Sequence, residues 1–295
     1  MTDTAAPTSD GSAQSLPYSG EVQVFVPHAK TLPPVGPYLR DAWDRRHFVV
    51  AMAKADLRGP RSRTGLGELW AIADPLFQAL VYWFVINTIR SGPGRESDLR
   101  LIILVSGIFL FTFSSTVVGG GGRSIIRNKN LMLNTQFPRI LLPATEVYKG
   151  LLDLGPYMAV YAVIHVLLLG GPLGPGLLML PLLLLLQLGI STGIALIFAT
   201  LTVYISDMSN ILDYCMRILF FTTPILYPVT ALPPLAATLL QVNPFFAIFA
   251  CYQAVFTGGL PNPMYVFQAT IWAVVLMIVG FRIFASHERG FALRL

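Results

Sequence analysis

Apolar and charged positions alternate on a long scale, with extended uncharged stretches separated by short basic ones. Residues 154–206 and residues 218–281 contain no Asp, Glu, Lys or Arg. About 20 apolar residues are enough for a helix to cross the ~30 Å hydrocarbon layer of a bilayer. Each stretch is more than twice that long, so the pattern predicts an all-α integral membrane protein with several spans.

Six spans account for most of the apolar sequence. They are predicted at residues 70–89, 101–118, 141–169, 177–204, 211–227 and 265–284. The length of residues 235–256 would also permit a crossing, but Pro244 and several amide side chains interrupt this segment. Broken backbone at membrane depth must be shielded by protein or must line a cavity. Residues 229–257 are therefore predicted as short re-entrant helices at the outer face.

The charges of the loops test this count. Basic residues precede the first span, join the second span to the third, and follow the sixth: Lys54, Arg58, Arg61, Arg63, Arg123, Arg127, Lys129, Arg139, Arg282, Arg289 and Arg294. The loops 170–176 and 229–264 carry no charge. Since cytosolic loops are enriched in Lys and Arg, both termini are predicted in the cytosol, with the spans in a bacterial plasma membrane.

The segment before the first span has two parts. Residues 1–37 are rich in Pro, Ser, Thr and Ala and lack a signal-peptide core, which predicts a flexible cytosolic tail. Residues 38–58 have an apolar stripe on one helical face, formed by Leu39, Trp43, Val50 and Leu57. A basic amphipathic helix that contains Trp is typical of the membrane interface. Packing on the protein's own cytosolic surface is the alternative.

The overall charge does not indicate a nucleic-acid partner. The net charge of +5 comes from basic residues that flank apolar spans, and charged residues make up only 12% of the chain. Cys215 and Cys251 stand alone within apolar segments, which argues against a metal site or a disulfide framework. Membrane lipid is the partner that this composition predicts.

The glycine run at residues 119–122 resembles a phosphate-binding loop only superficially. That motif requires Gly five residues before Gly122 and Lys after it, whereas this chain has Val117 and Arg123. Close helix packing or a flexible helix end is the better interpretation. If transport is ATP-driven, the ATPase must be another chain.

Residues that could carry catalysis are few. His165 lies alone in a span and is predicted to be a hydrogen-bonded packing residue, since proton relays need several ionisable groups at depth. Asp207 and Asp213 flank a short turn, where solvated or capping roles are expected. A local ion pair is predicted among Glu146, Lys149 and Asp153. No catalytic residue and no metal ligand is predicted.

Aromatic residues within the uncharged spans are the positive functional signal. Their faces stack on the apolar C–H surfaces of sugars, and a row of such weak sites would let a polymer slide. Core packing and interfacial belts are the alternative for each of them. The residues predicted to line a channel are Tyr82, Trp83, Phe109, Phe113, Tyr157, Tyr161, Phe220, Phe221, Tyr227, Phe245 and Phe246.

A series of short motifs over about residues 40–295 resembles the membrane subunit of ABC exporters for lipid-linked polysaccharides, the Wzm-like permeases. These include O-antigen, teichoic-acid and actinobacterial galactan exporters. The motifs are Asp56-Leu57, Leu66-Gly67 with Trp70, Asn128 with Leu131, Phe137-Pro138-Arg139, Val203-Tyr204 with Asp207, Pro224-Ile225-Leu226-Tyr227-Pro228, and Asn243-Pro244. The chain departs from the family at Pro60-Arg61, Leu133-Asn134 and Ser206.

The resemblance implies a homodimer of six-span subunits that binds two copies of a P-loop ATPase, which carries the ATP and Mg²⁺. The substrate would be a polyprenyl-pyrophosphate-linked glycan moved from the cytosol to the outer face. The segment 123–139 would dock on the ATPase through Arg123, Arg127, Asn128, Lys129, Leu131, Phe137 and Arg139. The helix 38–58 would gate lipid entrance, and the pyrophosphate contacts are expected at Trp43, Arg46, Lys54 and Lys149.

Two alternatives remain open at the level of sequence. One is a related ABC permease for a drug or a lipid. The other is a membrane-embedded, polyprenyl-dependent glycosyltransferase, which would need acidic residues near a membrane face to hold a metal or activate a hydroxyl. Asp207 and Asp213 are the only plausible pair for that chemistry.

Overall fold

The computed structural model of the protein describes residues 35–61, 65–89, 95–135, 137–168 and 174–295. These ranges contain helices and turns, with no strand among them. The predicted tail, residues 1–37, lies outside the described residues except for its last three, which begin the first helix.

The helices follow one another with short connections. They are α1 (Val35–Asp44), α2 (Arg46–Arg61), α3 (Trp70–Ile89), α4 (Arg95–Arg127), α5 (Lys129–Asn134), α6 (Leu141–Val163), α7 (Leu180–Tyr204), α8 (Met208–Thr222), α9 (Pro234–Leu240), α10 (Pro244–Phe256), α11 (Pro263–His287) and α12 (Phe291–Arg294). A π-helical turn, Ile164–Leu168, continues α6, and a 3₁₀ turn, Pro175–Met179, leads into α7.

Three helices of the described residues are long and apolar enough to cross a membrane: Arg100–Arg127, Pro175–Tyr204 and Pro263–Arg294. They contain the predicted second, fourth and sixth spans. The predicted first span coincides with α3, the third with α6 and its π-helical turn, and the fifth with α8. An integral membrane protein is thus confirmed, while the count of six spans stays a prediction.

The fifth predicted span ends earlier than expected. Residues 211–227 were expected to be helical, but α8 ends at Thr222 and Thr223 is extended, with φ −84° and ψ 140°. Pro224 follows Thr223, and the proline ring disfavours helical backbone in the residue before it. The 15 residues of α8 reach only about 22 Å along the helix axis.

The outer apolar segment is broken, as its sequence predicted. α9 and α10 meet at an angle of 118°. Asn243 caps α10 by accepting a hydrogen bond from the Phe245 backbone N–H at 2.9 Å, and Pro244 occupies the first helical position. Proline suits that position because it has no N–H to leave unpaired. Whether this pair is re-entrant remains a prediction.

α4 is the central helix of the bundle, in contact with α3, α6, α7, α8 and α10. Its glycine run makes this possible. A Cβ atom added at Gly121 would lie 2.9 Å from Cβ of Ala195 on α7, and one at Gly122 would lie 2.7 Å from Cδ2 of Leu212 on α8. Close helix packing, rather than a nucleotide loop, is therefore the role of these glycines.

α7 and α11 cross with their backbones in contact. A Cβ added at Gly193 would lie 2.7 Å from the backbone nitrogen of Met277, and one at Gly280 would lie 3.1 Å from Cα of Gly193. One turn earlier, Gly189 faces Ala273. Small residues four apart are the usual means by which membrane helices approach closely.

The crossing predicts opposite effects for two glycine substitutions. Gly193→Ala should destabilise the protein by about 1–3 kcal/mol or more, because the new methyl group meets the backbone of α11, which cannot move aside. Gly155→Ala is the matched control, since nothing lies within 4 Å of the added Cβ. There the gain in helix propensity should leave stability unchanged or raise it by up to about 1 kcal/mol. Thermal unfolding of purified protein in detergent distinguishes these outcomes, and equal midpoints would contradict the close crossing.

Candidate functional site

α3, α4 and α8 enclose a groove of about 610 Å³, called here the hydroxyl groove. Its polar lining comes from one amide and three hydroxyl side chains, and two aromatic rings add apolar surface. These residues are Gln78, Thr112, Ser115, Thr116, Phe111 and Phe220. On α4 they recur at intervals of three and four, which places them on one face of the helix. α6 and α7 pack on other faces of α4, where the Ser114 hydroxyl contacts Gln187 and Ser191 of α7, so α4 carries hydroxyl groups on the packed side as well as in the groove.

α4 and α8 run antiparallel along this groove. Phe111 and Phe220 meet edge to face, with ring centroids 5.2 Å apart, while Arg123 and Asp213 form an ion pair of 2.5 Å further along. The charged groups that line the groove, Asp213 and Arg217, both stand on α8. The rest of the lining is neutral and can accept or donate hydrogen bonds.

Five of the eleven aromatic residues predicted to line a channel are buried in the core. The side chains of Phe109, Phe113, Tyr161, Phe245 and Phe246 are at most 5% exposed. All but Phe113 pack edge to face against other rings, as Phe109 does on Tyr157 at 5.0 Å and Tyr161 on Phe256 at 4.8 Å. Since a buried ring touches only protein, these five side chains form the core and do not line an open path in this conformation.

The remaining aromatic predictions divide into three kinds. Phe220 lines the hydroxyl groove, and Phe221 beside it is 58% exposed. Tyr157 is half-buried and accepts a hydrogen bond from the Gln78 amide at 3.3 Å. Tyr227 donates to the backbone oxygen of Thr222 at 3.2 Å. The side chains of Tyr82 and Trp83, on α3, lie outside the described part of the chain.

The hydroxyl and amide side chains of the groove were not anticipated from the sequence. Thr112, Ser115 and Thr116 stand in an apolar span, where each could equally bond its own helix, as Thr112 does to the Ile108 oxygen at 2.9 Å. Their spacing on one face was the available signal. This spacing indicates a groove only once the structure shows that α8 leaves that face of α4 open.

The predicted ATPase-coupling segment contains a short helix, α5. Met132 anchors this helix in a small core, 3% exposed, and Leu131 packs partly against the same cluster. Leu133 is 47% exposed, and the neighbouring Asn130 and Asn134 are exposed as well. The Asn128 amide donates to the Ser124 oxygen at 2.8 Å and so fixes the turn between α4 and α5. α5 thus presents one face to its surroundings.

The arginines predicted for coupling are engaged within the chain. Besides its ion pair with Asp213, Arg123 donates to the Ser209 oxygen at 2.8 Å. Arg127 pairs with Glu146 and, at 3.5 Å, with Asp56 on α2. These contacts fasten the end of α4 to α2, α6 and α8.

Glu146 is the centre of a small ion-pair network. Its carboxylate is buried, pairs with Arg127, and also pairs with Lys149 at 3.3 Å, which confirms the local ion pair. The absence of a side chain at Gly120 leaves room for this carboxylate, because a Cβ there would overlap it. A buried charge is tolerated only when it is paired in this way.

The predicted amphipathic helix is interrupted at Arg45, which separates α1 from α2. α2 packs on α6, with Ala53 fully buried and the Phe48 ring 5.4 Å from the ring of Phe137. The predicted stripe divides at this break: Val50 and Leu57 are half-buried on the face of α2 that contains Ala53, whereas Leu39 and Trp43 on α1 are 47% and 68% exposed. Packing on the protein surface is therefore found for α2, while α1 retains an exposed apolar face.

The residues predicted to contact pyrophosphate form two groups. The Arg46 guanidinium carbon lies 5.4 Å from the centre of the Trp43 ring, and Arg46 donates to the Trp43 oxygen at 3.2 Å. Lys54 is exposed on α2. Lys149 belongs instead to the Glu146 network, so its ammonium group already has an anionic partner.

Glu288, which sequence reasoning missed, joins three distant parts of the chain. Its buried carboxylate accepts hydrogen bonds from the Tyr38 hydroxyl and, at 2.7 Å, from the Arg139 backbone N–H. The Arg139 guanidinium donates to the Glu288 backbone oxygen. Burial and the neighbouring carboxylate raise the pKa of Tyr38, so the phenol stays protonated and remains a donor. We call these three residues the carboxylate clasp.

The residues considered for catalysis have structural partners. His165 is buried and bonded to the Tyr161 hydroxyl at 3.1 Å, as predicted for a packing histidine. Asp207 precedes α8 without a side-chain cap bond. Asp213 is 63% exposed, as expected for a solvated residue, and also forms an ion pair with Arg123. Among the described residues, no three His, Cys, Asp or Glu side chains are grouped to hold a metal.

With this geometry in hand, comparison with known proteins decides the family. The profile of the family described as ABC-2 type transporter matches residues 48–257. The chain belongs to the ABC-2 transporter family. It is a permease subunit rather than an enzyme, and the ATPase is a separate subunit.

The permease is similar along most of its length to named exporter subunits. It is 25% identical over 248 residues to the O-antigen export system permease protein RfbA of Klebsiella pneumoniae, covering 83% of this chain and 93% of that protein. The RfbA protein of Myxococcus xanthus is 25% identical over 261 residues, which cover 86% of this chain and 97% of that protein. The polysialic acid transport protein KpsM of Escherichia coli is 24% identical over 241 residues, which cover 79% of this chain and 92% of that protein.

The carboxylate clasp predicts a graded loss of stability. Glu288→Ala should destabilise the permease by about 1–3 kcal/mol, because the Tyr38 and Arg139 donors lose their acceptor. Glu288→Gln keeps an acceptor oxygen and should fall between Ala and the wild type. Asp207→Ala, which removes an exposed carboxylate with no cap bond, is the control and should change stability by less than about 0.5 kcal/mol. Thermal unfolding measures all three, and a wild-type midpoint for Glu288→Ala would refute the clasp.

Proposed function

We propose that this permease is the membrane subunit of an ATP-driven exporter for polyprenyl-pyrophosphate-linked polysaccharide. It would move the glycan from the cytosol to the outer face of a bacterial plasma membrane. The observation that carries the proposal is the hydroxyl groove, which is lined by hydroxyl and amide groups and aromatic rings, with Asp213 and Arg217 on its α8 side. It lies on a permease similar to O-antigen and polysialic acid exporters.

The chemistry of the groove suits a sugar chain. Thr112, Ser115 and Thr116 can exchange hydrogen bonds with sugar hydroxyls, and the Phe220 ring can stack on C–H faces. On α4 the lining from Ile108 to Thr116 carries no charge, and the charged groups of the groove, Asp213 and Arg217, stand on α8. A drug or lipid permease would have less use for three hydroxyl groups in one line.

A second copy of the chain would complete the path. The groove opens on the surface of a single chain, and the faces beside it are apolar and exposed, with Phe77 and Leu80 on α3 and Ile218 and Phe221 on α8. Two grooves facing each other in a homodimer would enclose a conduit and bury these side chains. Each subunit would bind one P-loop ATPase, with ATP and Mg²⁺ held there.

The helices outside the groove have distinct parts in this proposal. α5 would dock on the ATPase through its exposed face. α1 and α2 would form the gate for the lipid-linked end, with Trp43 and Arg46 at its exposed tip. α9 and α10 would be the re-entrant pair that caps the outer end. Six spans with both termini in the cytosol complete the arrangement. Among glycans, a cell-wall galactan is the candidate that the family resemblance suggests.

Blocking the groove tests the proposed path. Ser115→Trp should reduce glycan export by at least about 10-fold, since the indole would fill the space between α4 and α8, while the ATPase subunit should still co-purify. Ile271→Trp is the matched control because Ile271 is exposed on α11, away from the groove. Export is measured as lipid-linked glycan reaching the outer face of cells or proteoliposomes. Normal export by Ser115→Trp would rule out the groove as the conduit.

The docking of α5 gives an independent prediction. Lys129→Glu reverses the charge at the start of α5 and should lower ATPase association by about 10-fold or more. The new carboxylate would face the acidic surface of the ATPase that a lysine at this position would contact. Arg282→Glu, an equal charge change at an exposed position of α11, should leave association unchanged. Co-purification and titration of the ATPase subunit measure this, and equal association of both variants would contradict docking through α5.

A further inference from the structure

We propose that the permease contains a phosphate-binding pocket at the end of α4, whose occupant competes with Asp213 for Arg123. The ligand class is a phosphate ester or diphosphate anion. The inference deepens the proposed function, on which it rests, because it gives the charged end of a lipid-linked substrate a place to bind before the glycan enters the groove.

The pocket lies where α4, α7, α8 and α12 come together. It has a volume of about 660 Å³ and is called here the arginine pocket. Three arginines line it, together with hydroxyl groups, and no Asp or Glu side chain does. The residues that matter are Arg123, Arg127, Arg294, Thr202, Ser206 and Ser209. Volumes of this size are typical of small-molecule sites.

The arginines retain donors for a ligand. Arg127 uses Nη2 for both of its carboxylate partners, which leaves Nε and Nη1 without a protein acceptor among the described residues. Arg294 lies over the Tyr204 ring, its guanidinium carbon 5.3 Å from the ring centre, and this cation–π contact needs no hydrogen-bond acceptor for its N–H groups. Planar guanidinium groups with free N–H pairs match the oxygens of phosphate.

The carboxylates that balance these charges approach from outside the pocket. Asp213 lines the neighbouring hydroxyl groove, and Glu146 and Asp56 hold Arg127 from the side of α6 and α2. The arginine side chains are therefore kept in place by anions without being covered by them. An oxyanion can enter on the open side and gain charge-assisted hydrogen bonds.

One ion pair separates the two cavities. Arg123 lines the arginine pocket, Asp213 lines the hydroxyl groove, and their 2.5 Å contact lies between them. The pair is partly exposed, at 34% and 63% of the two side chains, so it is weak enough for another anion to displace. A phosphate group that binds Arg123 would release Asp213 and open the way from pocket to groove.

The test uses inorganic diphosphate as the probe and purified permease in nanodiscs of neutral phosphatidylcholine. Calorimetric titration should detect binding that Arg294→Gln weakens by about 10-fold, the loss expected for about one charge-assisted contact. Arg289→Gln removes an exposed arginine near the same end that does not line the pocket, and it should bind as the wild type does. Equal binding by wild type and Arg294→Gln would overturn the proposal.

The competition has its own readout. Asp213→Asn should bind diphosphate several-fold more tightly, because Arg123 no longer has an anionic partner, and Arg123→Gln should abolish this gain. A purely structural role for the pair would leave the diphosphate affinity of Asp213→Asn unchanged or lower, which would overturn the competition.

A second lipid composition identifies the source of the phosphate. If phosphatidylglycerol nanodiscs suppress diphosphate binding, membrane phospholipid occupies the pocket; if binding is the same in both, the site is reserved for diphosphate. Both outcomes support phosphate chemistry. Binding is measured without transport, so wild-type permease that binds diphosphate in nanodiscs but exports no glycan in proteoliposomes with its ATPase would refute the proposed function and leave the pocket intact.

Discussion

The close approach of α6, α7 and α8 to the glycine run of α4 is the constraint on which the rest of the structure depends. Gly120 leaves space for the Glu146 carboxylate, which in turn holds Arg127. Gly122 lets α8 come near enough for Asp213, one residue beyond Leu212, to pair with Arg123. Side chains at these glycines would separate the helices and break the ion pairs of Arg123 and Arg127.

This packing determines where charged side chains lie along the permease. Unpaired charge is expensive at membrane depth, and the described part of α4 that faces α3 and α8 carries hydroxyl groups there instead. Arg123 and Arg127 stand near the end of α4, where carboxylates from α2, α6 and α8 reach them. A groove rich in hydroxyl groups beside a cationic pocket suits a substrate with a long uncharged body and a small anionic head.

The same carboxylates join the helices that the proposed mechanism must move together. Asp56 links α2 to the end of α4, and Glu288 links α1, Arg139 in the turn before α6, and the end of α11. Both links reach arginines of the segment 123–139, on either side of α5. A displacement of α5 would therefore be transmitted to α1 and α2 through hydrogen bonds and ion pairs rather than through flexible loops. Interlocked contacts of this kind are what couple separate sites mechanically.

Sequence alone determined the features that depend on local chemistry. Uncharged length predicted a membrane protein, Pro244 predicted the break before α10, and the missing motif residues around Gly122 predicted packing instead of nucleotide binding. Only the tertiary structure decided which side of each helix is open. Phe245 lies in the core and Thr112 lines the groove because α8 and α10 cover different faces of α4. Glu288 binds Tyr38, which is 250 residues away in the sequence. Apolar periodicity cannot reveal these outcomes, since in a membrane both lipid and protein neighbours favour apolar side chains.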